Sequence, residues 1–309
     1  MARTIYRQAI ERLQTVRDAV RFGASRFAKA ELAFGHGNAN GWDEAAYLVM
    51  HTLGLGMTEL EPSLDARLTE TEMRAVLDVI HRRCAHVPAA YLTREAWLGP
   101  YRFYIDERAL IPRSFIAELL LDGMSPWIAE PGSVRRVLDL CTGSGCLAII
   151  AADIFPNAQI DAVDISSDAL AVARANVAQY NLSHRISLFE SDLFGAVPDG
   201  RYDLILSNPP YVNAASMALL PKEYRHEPSL ALAGGRDGLD LVRRILADAG
   251  AHLTRGSRRR GLLIVEIGHE RAHLEAAFPA LDCTWLSTSA GDDMVFLVEA
   301  NQLQTVNKP

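Results

Sequence analysis

Between Thr4 and Phe34 apolar residues recur at helical spacing, with Ile5, Ala9, Leu13, Val16, Val20 and Phe27 on one side, which predicts one or two amphipathic helices. Gly35-His-Gly-Asn-Ala-Asn-Gly41 breaks the pattern. A second helix starts near Asp43, carries Ala46, Leu48, Val49 and His51, and ends at Gly54 and Gly56. Thr69-Glu-Thr-Glu-Met then supplies capping residues for a helix through Val76, Leu77, Ile80 and Cys84. Alternation from Tyr101 to Ile105 predicts a hairpin strand, and Ile111-Pro-Arg-Ser-Phe-Ile-Ala-Glu118 an extended segment entering a helix. The polar stretch Ala129-Glu-Pro-Gly-Ser133 is the candidate boundary.

Beyond that stretch strands and helices alternate. Buried strands are expected over Val137 to Cys141, Gln159 to Asp164, Arg185 to Glu190, Asp203 to Ser207 and Gly261 to Ile267, with further strands near Cys283 and at Met294 to Val298. Helices fall between them, one opening at Thr142-Gly-Ser-Gly145 and others over about Leu239 to Leu253 and Arg271 to Phe278. This order predicts right-handed crossovers and a mainly parallel sheet covered on both faces. The fourth strand ends at Asn208-Pro-Pro-Tyr211, where two prolines forbid further ladder pairing. Alone, that corner is an ordinary turn; at the carboxyl end of a parallel strand it lies where open α/β sheets bind ligands.

Composition narrows the class. The 309 residues are 49% hydrophobic and 22% charged, ordinary for about two globular domains. The amphipathic start carries no signal-peptide core and no apolar run approaches the ~20 residues that span a bilayer, so a cytoplasmic protein without membrane attachment is expected. Cys84, Cys141, Cys146 and Cys283 are scattered, which argues for buried thiols rather than disulfides or a metal site. A net charge of −7 argues against an extended grip on nucleic acid. The basic run Arg255-Gly-Ser-Arg-Arg-Arg-Gly261 is read as a solvated loop.

The glycine turn Asp139-Leu-Cys-Thr-Gly-Ser-Gly145, followed by a second strand ending in Asp164, is suited to a nucleoside ligand, the acid accepting hydrogen bonds from ribose hydroxyls. The turn lacks the third glycine of a dinucleotide site, Ala148 standing where it would be, and the lysine of a triphosphate loop. A nucleoside without phosphates fits better, and S-adenosylmethionine is one.

With Asp139 to Gly145, Asp164, Ser191-Asp192 and Asn208-Pro-Pro-Tyr211 on successive strand ends, the chain resembles the class I S-adenosylmethionine-dependent methyltransferases. Ile111-Pro-Arg113 and Glu118 upstream, with His226-Glu-Pro228 and Ala231-Leu232 downstream, are similar to the protein glutamine N(5)-methyltransferases, which modify the Gln of Gly-Gly-Gln segments. Phe34-Gly-His-Gly37, Trp42-Asp-Glu44 and Glu223-Tyr-Arg-His-Glu-Pro228 resemble the branch acting on large-subunit ribosomal protein three. The release-factor branch, whose C-terminal strand usually carries an Arg absent from Gly291-Asp-Asp-Met-Val-Phe296, and DNA adenine amino methyltransferases are the alternatives.

The resemblance implies a seven-stranded, mainly parallel sheet with helices on both faces. It implies a helical substrate-recognition domain over 1–90, a linker with hairpin and helix over 91–132 and the methyltransferase domain over 133–309. Thr142, Gly143, Ser144 and Gly145 would lie along the methionine part of S-adenosylmethionine, Asp164 on its ribose, and Asp192 and Leu193 about adenine, with Phe194 beside them and Asp139 orienting the turn. Asn208, also near the cofactor, and the Pro209 carbonyl would accept the two N–H bonds of the substrate carboxamide, with Pro210 and Tyr211 completing the corner. Arg113, Glu118 and Glu227 would lie near the protein substrate, His226 would hold its loop, and no metal is implied.

Overall fold

A computed structural model describes residues 2–35, 37–256 and 260–305. His36 and Ser257, Arg258 and Arg259 of the basic run lie outside the described residues. The chain forms two compact units, one of residues 1–96 with 221–226 and one of 97–220 with 227–309. The division falls at Ala96 rather than in the Ala129–Ser133 stretch, where the chain makes only a short turn over Pro131–Ser133.

The first unit is helical: α1 (Ala2–Arg12), α2 (Val16–Lys29), α3 (Gly41–Leu53), the short α4 (Leu60–Ser63), α5 (Glu70–Arg83) and α6 (Ala89–Thr93). Thr15 splits the first amphipathic stretch because it caps α2 in a capping box with Asp18. Thr69 and Glu72 do the same for α5, and Gly54 ends α3 in the left-handed conformation. Phe27, Val49, Leu48, Val76 and Ile80 form the apolar core.

At its centre is a buried cation. The Arg83 guanidinium donates to Glu44 (2.7 Å), Glu223 (3.1 Å) and the Ala33 carbonyl (2.8 Å), and all three charged side chains are at most 3% exposed. Glu223 also accepts from Ala33 N and lies 3.0 Å from His86 Nδ1. Burial raises its pKa, but the bonds from His86, Arg83 and the backbone outweigh that and hold it below the usual range. Residues 221–226 are thus held to the helices by one carboxylate.

The chain leaves this unit through the ribbon β1 (Glu95–Leu98) and β2 (Tyr101–Tyr104). There follow α7 (Ile116–Leu121), β3 (Arg136–Leu140), α8 (Cys146–Ile154), β4 (Gln159–Asp164), α9 (Ser167–Gln179), β5 (Ile186–Glu190), β6 (Leu204–Ser207), α10 (Ala214–Leu219), α11 (Asp240–His252), β7 (Leu262–Glu266), α12 (Arg271–Ala277), β8 (Thr284–Thr288) and β9 (Gly291–Glu299). The seven-stranded sheet has the order β5-β4-β3-β6-β7-β9-β8, parallel from β5 to β7, with β9 antiparallel to both neighbours.

Because side chains alternate along a strand, the sheet feeds two cores. Val137, Ile160, Leu204, Leu206 and Ile264 face α7, α8 and α9, whereas Leu138, Val163, Ile205, Leu263 and Phe296 face α11 and α12. This is the class I methyltransferase architecture. Its strand order reverses at β3, between β4 and β6, so the carboxyl ends of these three strands border one crevice.

Asp139, 1% exposed, lies within β3 at the centre of that parallel sheet. Its Oδ2 accepts from Thr142 Oγ1 and from Ala148 N (3.1 Å), tying β3 to the first turn of α8, while Oδ1 has no partner among the described residues. Burial outweighs the two donors and pushes the carboxyl up to about 7.

Two stability measurements follow. Arg83→Met should destabilise the chain by about 3–5 kcal/mol by taking the guanidinium away from two buried carboxylates, against about 1 kcal/mol for the cap variant Thr69→Ala. Chemical denaturation followed by circular dichroism separates them, and a near-neutral Arg83→Met would contradict the buried-network account. For Asp139 the folded pKa lies above the unfolded value near 3.9. The unfolded chain therefore releases this proton first, and stability falls as pH rises from about 4 to about 7. Asp139→Asn keeps an acceptor for both donors and should remove that loss, on the order of 2 kcal/mol between pH 5 and pH 8. An unchanged slope in the variant would contradict it.

Candidate active site

A cavity of about 330 Å³ opens at the switch point, bordered by the turn after β3, the end of β4, the turn after β5 and the corner after β6. Ile111, Pro112, Arg113 and Ser114 close one side, and Pro228, Leu230 and Ala231 another.

The glycine turn reaches the cavity through Cys141, Thr142, Gly143 and Ser144, while Gly145 sits behind it, where an added Cβ would come within 3.2 Å of the Ala173 Cβ. Gly143 has φ +56° and borders open space, so the backbone there can be approached closely. Cys141 (φ 59°) and Leu193 (φ 50°) hold the same left-handed conformation with side chains attached, which stores backbone strain at the site. Burial pushes the thiol pKa values up, Cys146 to about 12, which keeps them as neutral packing groups.

Asp164 is fixed by two backbone donors, Gly143 N on Oδ2 (2.8 Å) and Ser166 N on Oδ1 (2.9 Å). Burial raises its pKa and these bonds oppose the rise. Each oxygen keeps a lone pair for a ligand hydroxyl. Asp192 and Leu193 border the same space, Leu193 almost fully buried and Asp192 paired with Arg244 at 2.9 Å. The Phe194 ring is stacked on His252 with centroids 4.5 Å apart and is not part of the lining.

At the corner, Asn208 Nδ2 donates to the Arg113 carbonyl at 3.1 Å. That bond uses the donor end of the carboxamide and leaves Oδ1 as its acceptor end. Asn208 and Pro210 border the cavity; Pro209 and Tyr211 do not. The Tyr211 ring packs on Gly268, where an added Cβ would come within 2.6 Å of it, and its hydroxyl donates to Glu266 at 3.1 Å. Val212 N bonds the Leu232 carbonyl and Gly234 N bonds the Val212 carbonyl, both at 2.9 Å, which secures the chain beyond the prolines.

Arg113 borders the cavity and pairs with Glu227 at 2.9 Å; Glu227 is buried and also accepts from Ile111 N. Glu118 lies away from the cavity, accepting from Ser289 N (2.9 Å) and Oγ (2.6 Å) at the β8–β9 turn. It holds a hairpin, and the structure does not bring it to the other site residues. His226 is exposed and belongs to the helical unit.

Glu266, at the end of β7, was not singled out by its sequence pattern. It is buried, its pKa raised by that burial, and it accepts from Ser114 Oγ (2.6 Å), Phe115 N (2.8 Å) and Tyr211 Oη (3.1 Å). It therefore joins the 111–115 segment to the corner. The available signal was a carboxylate closing the otherwise apolar strand Leu262 to Val265. Arg108 and Arg244 also border the cavity, and neither stands out in the sequence.

The residues present fit S-adenosylmethionine: an open approach at Gly143, a fixed carboxylate at Asp164, and apolar walls at Leu193 and Ile165. Among the described residues no group of His, Cys, Asp and Glu is placed to hold a metal, and no helix is long and apolar enough to cross a membrane.

Residues 117–220 match the methyltransferase small domain and residues 18–93 the PrmC N-terminal domain. The chain is 58% identical over 301 residues to the ribosomal protein uL3 glutamine methyltransferase of Burkholderia pseudomallei, covering 95% of this chain and 97% of that protein. It is 56% identical to those of Bordetella pertussis (96% and 98% covered) and Neisseria meningitidis serogroup A (98% and 99% covered). The chain thus belongs to the ribosomal protein uL3 glutamine methyltransferases, S-adenosylmethionine-dependent enzymes of the class I fold.

Proposed function

We propose that this chain transfers a methyl group from S-adenosylmethionine to the side-chain amide nitrogen of a glutamine in ribosomal protein uL3, in the cytoplasm and without an extended grip on nucleic acid. The observation that carries the reading is the Asn208 Nδ2 bond to the Arg113 carbonyl, which turns Asn208 Oδ1 into an acceptor at the cavity wall.

An amide nitrogen is a poor nucleophile because its lone pair is delocalised into the carbonyl. Asn208 Oδ1 and the Pro209 carbonyl accept the two amide hydrogens, fix the nitrogen in place and favour its pyramidalisation as the new bond forms. Bound S-adenosylmethionine supplies the methyl group on a sulfonium, whose departing sulfur takes the bonding electron pair. Nitrogen gains the methyl and releases one hydrogen as a proton. The protonated amide product is acidic enough to need no strong base, in keeping with an exposed His226.

Tyr211 acts behind the carboxamide rather than on it, holding the corner through Glu266. Arg113 and Glu227 fix the segment whose carbonyl orients Asn208. Asp164 holds the ribose, Asp139 and the glycine turn the methionine part, and Leu193 the base. The helical residues 1–90 recognise the protein substrate, and the unit of residues 97–220 and 227–309 carries the chemistry.

Asn208→Ala should lower kcat for methyl transfer to uL3 by about 10²–10³-fold, while cofactor affinity by calorimetry stays within about twofold; normal turnover would sink the assignment. A chain shortened to begin at Trp97, where the second unit starts, should still bind cofactor and fail to turn over folded uL3, and full-rate turnover would remove the helices from substrate recognition.

A further inference from the structure

Three guanidinium groups border the cavity, and each is held by a carboxylate in a different place. Arg244 pairs with Asp192 after β5, Arg113 with Glu227 beside the Asn208 corner, and Arg108 with Asp106. The third is bound as a fork. Asp106 is 7% exposed and accepts from Tyr104 Oη (2.6 Å), Arg108 N (3.2 Å), Arg108 Nε (2.9 Å) and Arg108 Nη2 (2.7 Å). A fork bound through Nε and Nη2 is locked in orientation, and Nη1 takes no part in it.

The same arm is tied to the glycine turn. Asn176, with no exposed surface, accepts from Tyr104 N (2.7 Å) and donates to the carbonyls of Tyr104 (3.0 Å) and Ser144 (2.9 Å). A continuous set of bonds thus runs from Ser144 through Asn176, Tyr104 and Asp106 to the Arg108 guanidinium. S-adenosylmethionine carries one anionic group, the carboxylate of its methionine end. Asp139 is buried behind this turn and Asp164 borders the cavity beside it, so an added anion there calls for a cation.

We infer that Arg108, oriented by Asp106, binds the carboxylate of the cofactor's methionine end. The inference rests on the placement of that end along Thr142 to Gly145, and it gives Arg108 a part in ligand selection.

The test compares S-adenosylmethionine with decarboxylated S-adenosylmethionine, which keeps the sulfonium and the amine and lacks the carboxylate. Calorimetry on the full-length wild type should show about 10- to 100-fold tighter binding of the complete cofactor, the effect of one charge-assisted contact. Arg108→Met should abolish that preference and leave affinity for the decarboxylated compound unchanged. The double variant Asp106→Asn, Arg108→Met, which leaves no unpaired carboxylate, should behave the same way. Retention of the preference in both variants would overturn the proposal, as would a parallel loss of affinity for both compounds. A wild type that binds both compounds equally would also overturn it while leaving the cofactor reading intact; a wild type that binds neither would remove that reading as well.

Discussion

The bond from the Asn208 carboxamide to the Arg113 carbonyl fixes which end of that side chain is available for a ligand. A planar amide can turn by half a revolution at little steric cost, and here the carbonyl at its NH2 end sets which way it faces. Because the partner is a backbone carbonyl, with no proton to donate, the oxygen is committed to the opposite side. The chemistry at the corner therefore depends on where the 111–115 segment is held. Two buried carboxylates hold it: Glu227 on Ile111 N and the Arg113 side chain, and Glu266 on Ser114 and Phe115 N.

Burying carboxylates is costly unless each is given donors, and the fold meets that condition by using them as cross-links. Glu266 reaches segments more than fifty residues before it, from the corner to the 111–115 segment preceding α7. Glu223 ties residues 221–226 to the helical unit, while Glu227, four residues later, ties the methyltransferase unit together. Asp139 is the exception, with one oxygen left unpartnered among the described residues, and its raised pKa is the physical trace of that shortfall.

Much of this was legible in the sequence because it depends on local rules. The Thr69 capping box, the Gly54 stop and the buried strands ending at Asp164 and Ser207 are set by neighbouring residues and by period. The antiparallel β9 and the division at Ala96 are not, since both are decided by contacts across the chain. Glu266, Arg108 and Arg244 escaped for the same reason: a charged residue is unremarkable until the fold surrounds it with partners. Glu118 shows the converse, a charge beside a recognisable segment whose partner is a distant hairpin turn. Tyr211 lies in the expected corner, but its hydroxyl serves the scaffold.

The central claim is that the corner receives a glutamine carboxamide of a ribosomal protein. It is tested most directly by incubating the chain with methyl-labelled cofactor and ribosomal particles, release factors and DNA side by side, then locating the label by tandem mass spectrometry. The account predicts one added methyl group on a glutamine side-chain nitrogen of uL3 and none on the other substrates. Label on a nucleobase, on a release factor, or on another residue type of uL3 would contradict it.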